Sequence, residues 1–246
     1  MSDIIKTEAV VLSKINYGDT SSIISLYSKS DGKISAIVKG GRGPKSKIGK
    51  MIDPLNYLQI IIYKKNTREV QILSNADLIS HFPKIKEDLE STKYAFAIIE
   101  LIKNLTVENE SNHKLFKGLI KILNLIEEKK EQPAVLFDRF FLFFLSELGY
   151  DLAIDKCGIC GKQNSSNSQL GFDLELGFVC QDCLISHIGL ENISAELFNY
   201  LFCLKFNKKI EKVEVENIEK LNQLLERYLK FHIPDFKGIQ SLQIFK

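Results

Sequence analysis

Four of the five cysteines fall in two tight pairs, Cys157-Gly158-Ile159-Cys160 and Cys180-Gln181-Asp182-Cys183, with nineteen residues between them. A Cys-x-x-Cys turn brings two sulfurs within reach of one ion, and a hairpin of that length returns the second pair to the same point. The spacing therefore predicts one zinc site with Cys157, Cys160, Cys180 and Cys183 as ligands. Glycines after Cys157 and after Cys160 suit backbone amides that point at sulfur. Two disulfides are the competing reading, but no secretory signal is evident at the front, and Cys203 is left over, which suits a reducing cytoplasm. A thioredoxin-like redox pair would explain one Cys-x-x-Cys and not two. Four thiolates fill a tetrahedral shell and leave no position for water or substrate, so the expected zinc is structural, one per chain. His187 is a further nitrogen in reach by sequence, but four cysteines already suffice.

A chain of 246 residues, 45% apolar, can build one large domain or two to three small ones. The greasiest run, Phe140 to Leu145, is flanked by Asp138, Arg139 and Glu147 and is too short to span a bilayer. A soluble, cytoplasmic protein is expected. Net charge is only +2, but residues 1–80 hold 12 basic against 7 acidic side chains, and residues 81–246 hold 21 against 24. A polyanion is therefore expected to dock at the front.

Three styles of sequence follow one another. Up to about Ile79, short β-rich runs alternate with turns: Ala9–Leu12, Ile23–Tyr27, Ile34–Val38, Leu55–Tyr63 and Val70–Leu73. Tyr17-Gly18-Asp19 links the first two, and Ser30-Asp31-Gly32 makes a hairpin of the second and third. Five short antiparallel strands in so few residues favour closure into a small OB-type barrel, with an SH3-like barrel left open by periodicity alone. After Pro83 the period changes to about 3.6. Helical stripes run through Tyr94, Ile98, Leu101, Ile102 and Leu105, then Leu115, Leu119, Ile122, Leu123 and Ile126. A third helix, Pro133 to Leu148, is apolar nearly all round and should be central. The cysteine hairpin comes next, with Gln163–Gln169 as its exposed part. Ser194 caps a fourth helix, and a fifth through Leu221, Leu225 and Leu229 stops before Pro234. The fold class is thus α+β: an OB-type domain over 1–80, and a helical domain over 81–246 with the zinc module inserted at 155–187.

Between the third and fourth strands, Lys39, Arg42, Lys45, Lys47 and Lys50 supply five positive charges, and no acidic residue occurs from Gly32 to Ile52. Such a flexible cationic loop suits a nucleic-acid backbone without reading sequence, its glycines letting amides approach phosphate. Lys45-Ser46 is no Walker loop, because Pro44 and Lys39 stand where that motif needs glycine. Tyr17, Tyr27, Tyr57 and Tyr63 lie on or beside the strands and could stack on unpaired bases, though alternation should bury about half of them. His81, His113, His187 and His232 are scattered, and no nucleophile elbow or magnesium-binding carboxylate cluster is evident. Acid pairs such as Glu127-Glu128 and Glu87-Asp88 read as solvated helix faces. No enzyme is expected.

Barrel, helices and four-cysteine hairpin, in this order, resemble the RecO family of bacterial recombination mediators. The resemblance rests on Thr7-Glu8-Ala9-Val10-Val11-Leu12, Tyr17-Gly18-Asp19, the Lys39–Lys50 segment, Asp53-Pro54-Leu55, Glu147-Leu148-Gly149-Tyr150 ahead of the cysteines, Gly177, and the closing Leu224–His232 and Lys237–Leu242. Two positions depart from the pattern. Phe141 stands where the family often has Glu, and Leu176-Gly177 where a glycine pair is common. The resemblance implies a cytoplasmic, nucleoid-associated repair protein that binds single- and double-stranded DNA, anneals strands, and works with RecR to load RecA on DNA covered by single-strand-binding protein. It also implies that Arg139, just ahead of Leu148-Gly149-Tyr150, receives the acidic C-terminal tail of that protein. A zinc-ribbon nucleic-acid adaptor in RNA metabolism or transcription is the alternative; it would place positive charge around the metal, where Lys156 and Lys162 are here offset by Asp155, Asp173, Glu175 and Asp182.

Overall fold

A computed structural model describes residues 3–165, 169–210 and 212–244. Five strands, β1 (Asp3–Tyr17), β2 (Ser21–Ser28), β3 (Gly32–Val38), β4 (Tyr57–Lys64) and β5 (Val70–Ser80), close into a barrel in the order β1-β2-β3-β5-β4. All neighbours are antiparallel except β3 and β5, which run parallel. That arrangement is the Greek-key closure of an OB barrel, and it removes the alternative left open by periodicity. Alternate residues fill the interior: Ala9, Val11, Ile24, Leu26, Ile34, Ala36, Leu58, Ile60 and Leu73 are all buried.

The strands are longer than their apolar runs. β1 spans 15 residues because it serves two partners, β4 with its first half and β2 with its second, and its register shifts between Val11 and Ser13 where it bends. Leu55, expected to open the fourth strand, instead sits at φ 72° in the turn Asp53-Pro54-Leu55-Asn56, closed by a 3.1 Å bond from the Asn56 amide to the Asp53 carbonyl. Proline followed by a left-handed residue is the type II pattern, which favours glycine at the third position. Leu55 is fully buried, so its contacts with the core offset the backbone strain.

Helices follow: α1 (Pro83–Glu87), α2 (Leu89–Leu105), α3 (His113–Glu127), α4 (Pro133–Glu147), α5 (Gln181–Ser186), α6 (Ala195–Lys205), α7 (Val215–His232) and α8 (Gln240–Ile244). Short α1 and α8 carry too few turns to show a period in the sequence. Asp88 caps α2 by accepting the Ser91 amide at 2.9 Å, and Glu127 accepts the Lys84 and Ile85 amides at the start of α1. These acids were expected on solvated faces; instead they satisfy helix N-termini.

The chain forms two compact units, residues 1–133 with 239–246, and residues 134–238. The change of period near residue 80 thus separates strands from helices, whereas the compact-unit boundary falls later. Within the first unit, α3 packs on the barrel: the Phe116 ring stacks on Tyr27 at 6.4 Å and tilts against Tyr57 at 6.3 Å. Lys33 also donates to the Lys103 carbonyl at the end of α2 at 2.9 Å. Glu100 of α2 in turn accepts the Gln240 and Ser241 amides at the start of α8.

In the second unit α4 is central, as its all-round apolar sequence implies. Phe137, Phe141, Phe144 and Leu145 are fully buried. Phe141 packs its ring on Phe137, which explains how a phenyl replaces the acid expected there. A small sheet, β6 (Leu170–Asp173), β7 (Gly177–Val179) and β8 (Glu191–Ile193), is ordered β7-β6-β8. It leans on α6 and α7 through ring contacts of Phe178 with Phe198 at 5.2 Å and Phe172 with Tyr228 at 6.4 Å. In the stretch expected to be exposed, Asn164 is buried and its Nδ2 donates to the Ile154 carbonyl, while Ser166–Ser168 lie outside the described residues.

Candidate metal centre and nucleic-acid interface

Cys157 opens a turn closed by its own amide on the Lys162 carbonyl and by the Gly161 amide on its carbonyl, at 2.8 and 3.0 Å. The Gly158 amide donates to the Phe178 carbonyl at 2.8 Å, pinning that turn to β7. A Cβ at Gly158 would lie 1.9 Å from the Leu176 carbonyl oxygen, so glycine is required for this approach. Cys180 follows β7 directly and N-caps α5, and Cys183 lies one turn into that helix. All four sulfurs come within 4.8 Å of one another. The Cys160 and Cys180 sulfurs are 3.7 Å apart, close to the about 3.8 Å expected between ligands of a tetrahedral ion with Zn–S bonds of about 2.3 Å.

Electrostatics agree with a metal-binding role. Burial pushes the Cys157 thiol up, but backbone amides around the turn, including Ile159 N–H at 3.4 Å from Sγ, overcome this and bring it down to about 6. Burial and the facing cysteine sulfurs push Cys183 up to about 12. Sulfurs packed this closely need a cation to be thiolates together. His187 stands apart from the cluster: its Nδ1 lies 2.9 Å from the Cys183 carbonyl, and it is exposed.

Lys39, Arg42, Lys45, Lys47 and Lys50 are all exposed on the β3–β4 connection. The connection was expected to be a flexible loop, but it is built from linked turns. Successive amide bonds join Gly41 to Val38, Gly43 to Gly40, Ser46 to Gly43 and Met51 to Ile48. Ile48 and Met51 tuck against the barrel core. Gly41 and Gly49 approach so closely that a Cβ on Gly49 would lie 1.7 Å from the Gly41 carbonyl oxygen. Those two glycines serve backbone packing, a role that depends on distant contacts. Lys14 of β1, which no sequence motif marks, clips the segment by donating to the Gly49 carbonyl at 3.2 Å while pairing with Asp53 at 3.0 Å.

Arg42 bonds the β1–β2 turn twice, Nη1 to the Gly18 carbonyl at 2.7 Å and its amide to the Thr20 carbonyl at 2.8 Å. The cationic segment therefore sits beside Tyr17, a residue 54% exposed at the end of β1. Tyr63 is also exposed, whereas Tyr27 is buried and Tyr57 is half-buried, its hydroxyl donating to Glu8. Ile15, Ile23 and Ile37 line up across β1, β2 and β3 by register, and each is at least partly open to solvent. Strands 2 and 3 and the first loop of an OB barrel are the surfaces suited to oligonucleotides.

On the second unit, Arg139 is half-buried on α4, and its Nη2 donates to the Lys208 carbonyl at 3.3 Å. Lys208 lies over the Phe202 ring at 4.5 Å, and Phe202 contacts exposed Phe206 at 4.5 Å. The i, i+4 spacing of Phe198, Phe202 and Phe206 was the available signal for this aromatic strip.

Family models for the N-terminal and C-terminal regions of recombination protein O match residues 1–82 and 86–238. This chain belongs to the RecO family. It is similar to proteins named DNA repair protein RecO from Alkaliphilus metalliredigens, 30% identical with 99% of each chain covered, and from Chloroherpeton thalassium, 33% identical with 98% and 97% covered. A Chlorobium limicola protein of the same name is 36% identical over 72% of this chain and 67% of its own length. The strand-rich first region, the helices and the cysteine cluster agree with the architecture expected of this family. Among the described residues, no helix is long and apolar enough to cross a membrane.

Proposed function

We propose that this RecO-family chain is a DNA repair protein that acts by binding, with no catalytic chemistry of its own. The observation that carries the reading is the ordered cationic segment held by Arg42 against the first barrel loop, beside exposed Tyr17. Lys39, Arg42, Lys45, Lys47 and Lys50 neutralise phosphates of single- or double-stranded DNA, and Tyr17 supplies a face on which an unpaired base stacks. Neither contact reads sequence. A protein that holds strands this way can anneal complements and, with RecR, help RecA replace single-strand-binding protein. The five unpaired cysteines suit the reducing cytoplasm, where it would act at the nucleoid.

Zinc bound by Cys157, Cys160, Cys180 and Cys183 is structural in this reading, because four sulfurs complete its shell. The acidic, apolar tail of single-strand-binding protein docks on the second unit, with Arg139 and Lys208 for its carboxylates and the Phe202–Phe206 strip for its aromatic side chain. The transcription-adaptor reading is disfavoured by the charge around the cysteines, where Lys162 is paired with Asp182 at 2.8 Å. Binding of single- and double-stranded oligonucleotides of several sequences across a salt series, with product analysis, tests the proposal. Sequence-independent, salt-sensitive binding and faster annealing support it; strand cleavage, or no DNA affinity, overturns it.

A further inference from the structure

Helix α3 carries a second concentration of positive charge, separate from the basic segment. No carboxylate occurs from Ser111 through Ile126, and Lys114, Lys117 and Lys121 recur at i, i+3 and i+7, which puts them on one helical face. All three are exposed, while Phe116 on another face is buried against the barrel tyrosines. Asn124 continues the stripe, and no apolar side chain interrupts it. Where α3 begins, a cavity of about 420 Å³ is lined by Lys6, Lys29, His113, Ser30 and Glu8 among others. Glu8, the carboxylate there, already accepts the Tyr57 hydroxyl and lies 3.5 Å from Lys29.

Position in the barrel sets this surface apart. The basic segment leaves the β2–β3 pair at Val38, opposite Ser22, whereas Lys29 and Ser30 sit at the turn beyond the Ser28–Gly32 pair. Six residue steps of β2 separate the two ends, about 20 Å at about 3.3 Å per residue. That span exceeds the Debye length of about 10 Å at 0.1 M salt, so charges at the Lys29 end of β2 are screened from those where the basic segment begins. Along α3, Lys114 to Lys121 extends about 10 Å, the length of about three nucleotides of one strand at about 3.4 Å each.

We propose that the Lys114-Lys117-Lys121 stripe, with the Lys6–Lys29–His113 cavity at its start, is a second phosphodiester-backbone site, able to hold one DNA segment while the basic segment holds another. The proposal rests on the reading of the barrel as DNA-binding and deepens it. Two strands on one protein meet at a high local concentration, which is what annealing requires. An acidic peptide is the other polyanion a lysine stripe could attract, but peptide docking on a helix favours an apolar groove, and this face presents none.

The test compares the full chain with K117E/K121E and with K45E/K47E, all substitutions at exposed positions that leave the core intact. Each protein is held on an immobilised oligonucleotide and asked to capture a second, labelled, non-complementary one. The expected result is that K117E/K121E loses about tenfold in capture of the second strand while its affinity for a single oligonucleotide changes by less than about threefold, and that annealing slows with capture. A photo-crosslinking oligonucleotide should also label the α3 peptide of the wild type. Unchanged capture in K117E/K121E overturns the second site and leaves the DNA-binding reading standing. Loss of affinity for a polyglutamate peptide with unchanged capture overturns it in favour of an acidic protein partner. A wild-type chain without DNA affinity overturns the parent reading, and this proposal with it.

Discussion

Neutralising Lys45 and Lys47 should change how binding to single-stranded DNA depends on salt. Both ammonium groups are exposed on a segment whose backbone is held elsewhere, by Lys14, by the Gly41–Gly49 contact and by Ile48 and Met51 against the core. Their loss therefore removes charge and leaves the shape of the segment intact. Each phosphate neutralised contributes about 0.7 to the slope of log affinity against log salt for a single strand, so five contacts give a slope of about −3.5. Between 50 and 200 mM salt that slope weakens binding by about a hundredfold, and removing two contacts reduces the loss to about twentyfold. Fluorescence anisotropy over four salt concentrations, with mixed, poly-dT and poly-dC oligonucleotides, measures the slope directly. A change of about 1.4 in slope, equal for every sequence, is expected. An unaltered slope refutes the argument and moves the backbone contacts off this segment; a change confined to one sequence shows base readout instead.

Replacing Cys180 with Ser should abolish stoichiometric zinc and cost several kcal/mol of stability, since the β6–β7 sheet lies directly on the ligand turns; metal analysis and thermal melts check both. Gly49→Ala should misshape the basic segment, because its new methyl meets the Gly41 carbonyl oxygen, and DNA affinity should fall with no charge changed, as a binding titration would show. Arg139→Ala should weaken binding of an acidic, aromatic-ended tail peptide by about tenfold in calorimetry, with equal affinity removing Arg139 from the site. Burial pushes the Asp138 carboxyl up to about 8, against bonds from Tyr200, at 2.5 Å, and Asn222 that favour the charged form. A raised folded-state value gives stability that is full below the ordinary range near 4 and is lost as pH rises towards 8, so Asp138→Asn should flatten that decline in denaturant titrations at a series of pH values.

Local chemistry was legible in the sequence, and long-range chemistry was not. Two Cys-x-x-Cys turns announce a cluster because each pair is positioned by its own few residues. Strand existence was equally plain, but the length of β1 depends on which partners flank it, and apolar alternation fades where the strand bends at Val11–Ser13. Leu55 read as a strand because its apolar side chain carries no sign of the left-handed turn that buries it. Glu127 looked like surface because the helix start it caps lies 42 residues earlier in the chain. Charge counted over the whole of residues 81–246 hid the α3 stripe, since acids elsewhere outweigh it, although the acid-free run from Ser111 to Ile126 is visible in the sequence. Arg139 was visible as a cation in an apolar helix, but its neighbour Lys208 comes from 69 residues further on.

The two units meet the same constraint in different ways. A closed barrel has no free strand edge, so a nucleic acid cannot join it by main-chain pairing and must be engaged by turns and outward side chains. On the proposed reading those contacts fall to lysine, arginine and tyrosine, residue types that hold backbones and bases of any sequence. An ion held by all four clustered cysteines would likewise have no open coordination position, so it would stiffen a turn and not activate water. On the proposed reading, what this chain contributes to DNA repair is binding energy. If it acts by bringing strands together, as proposed, a second cationic surface matters more than a stronger first one.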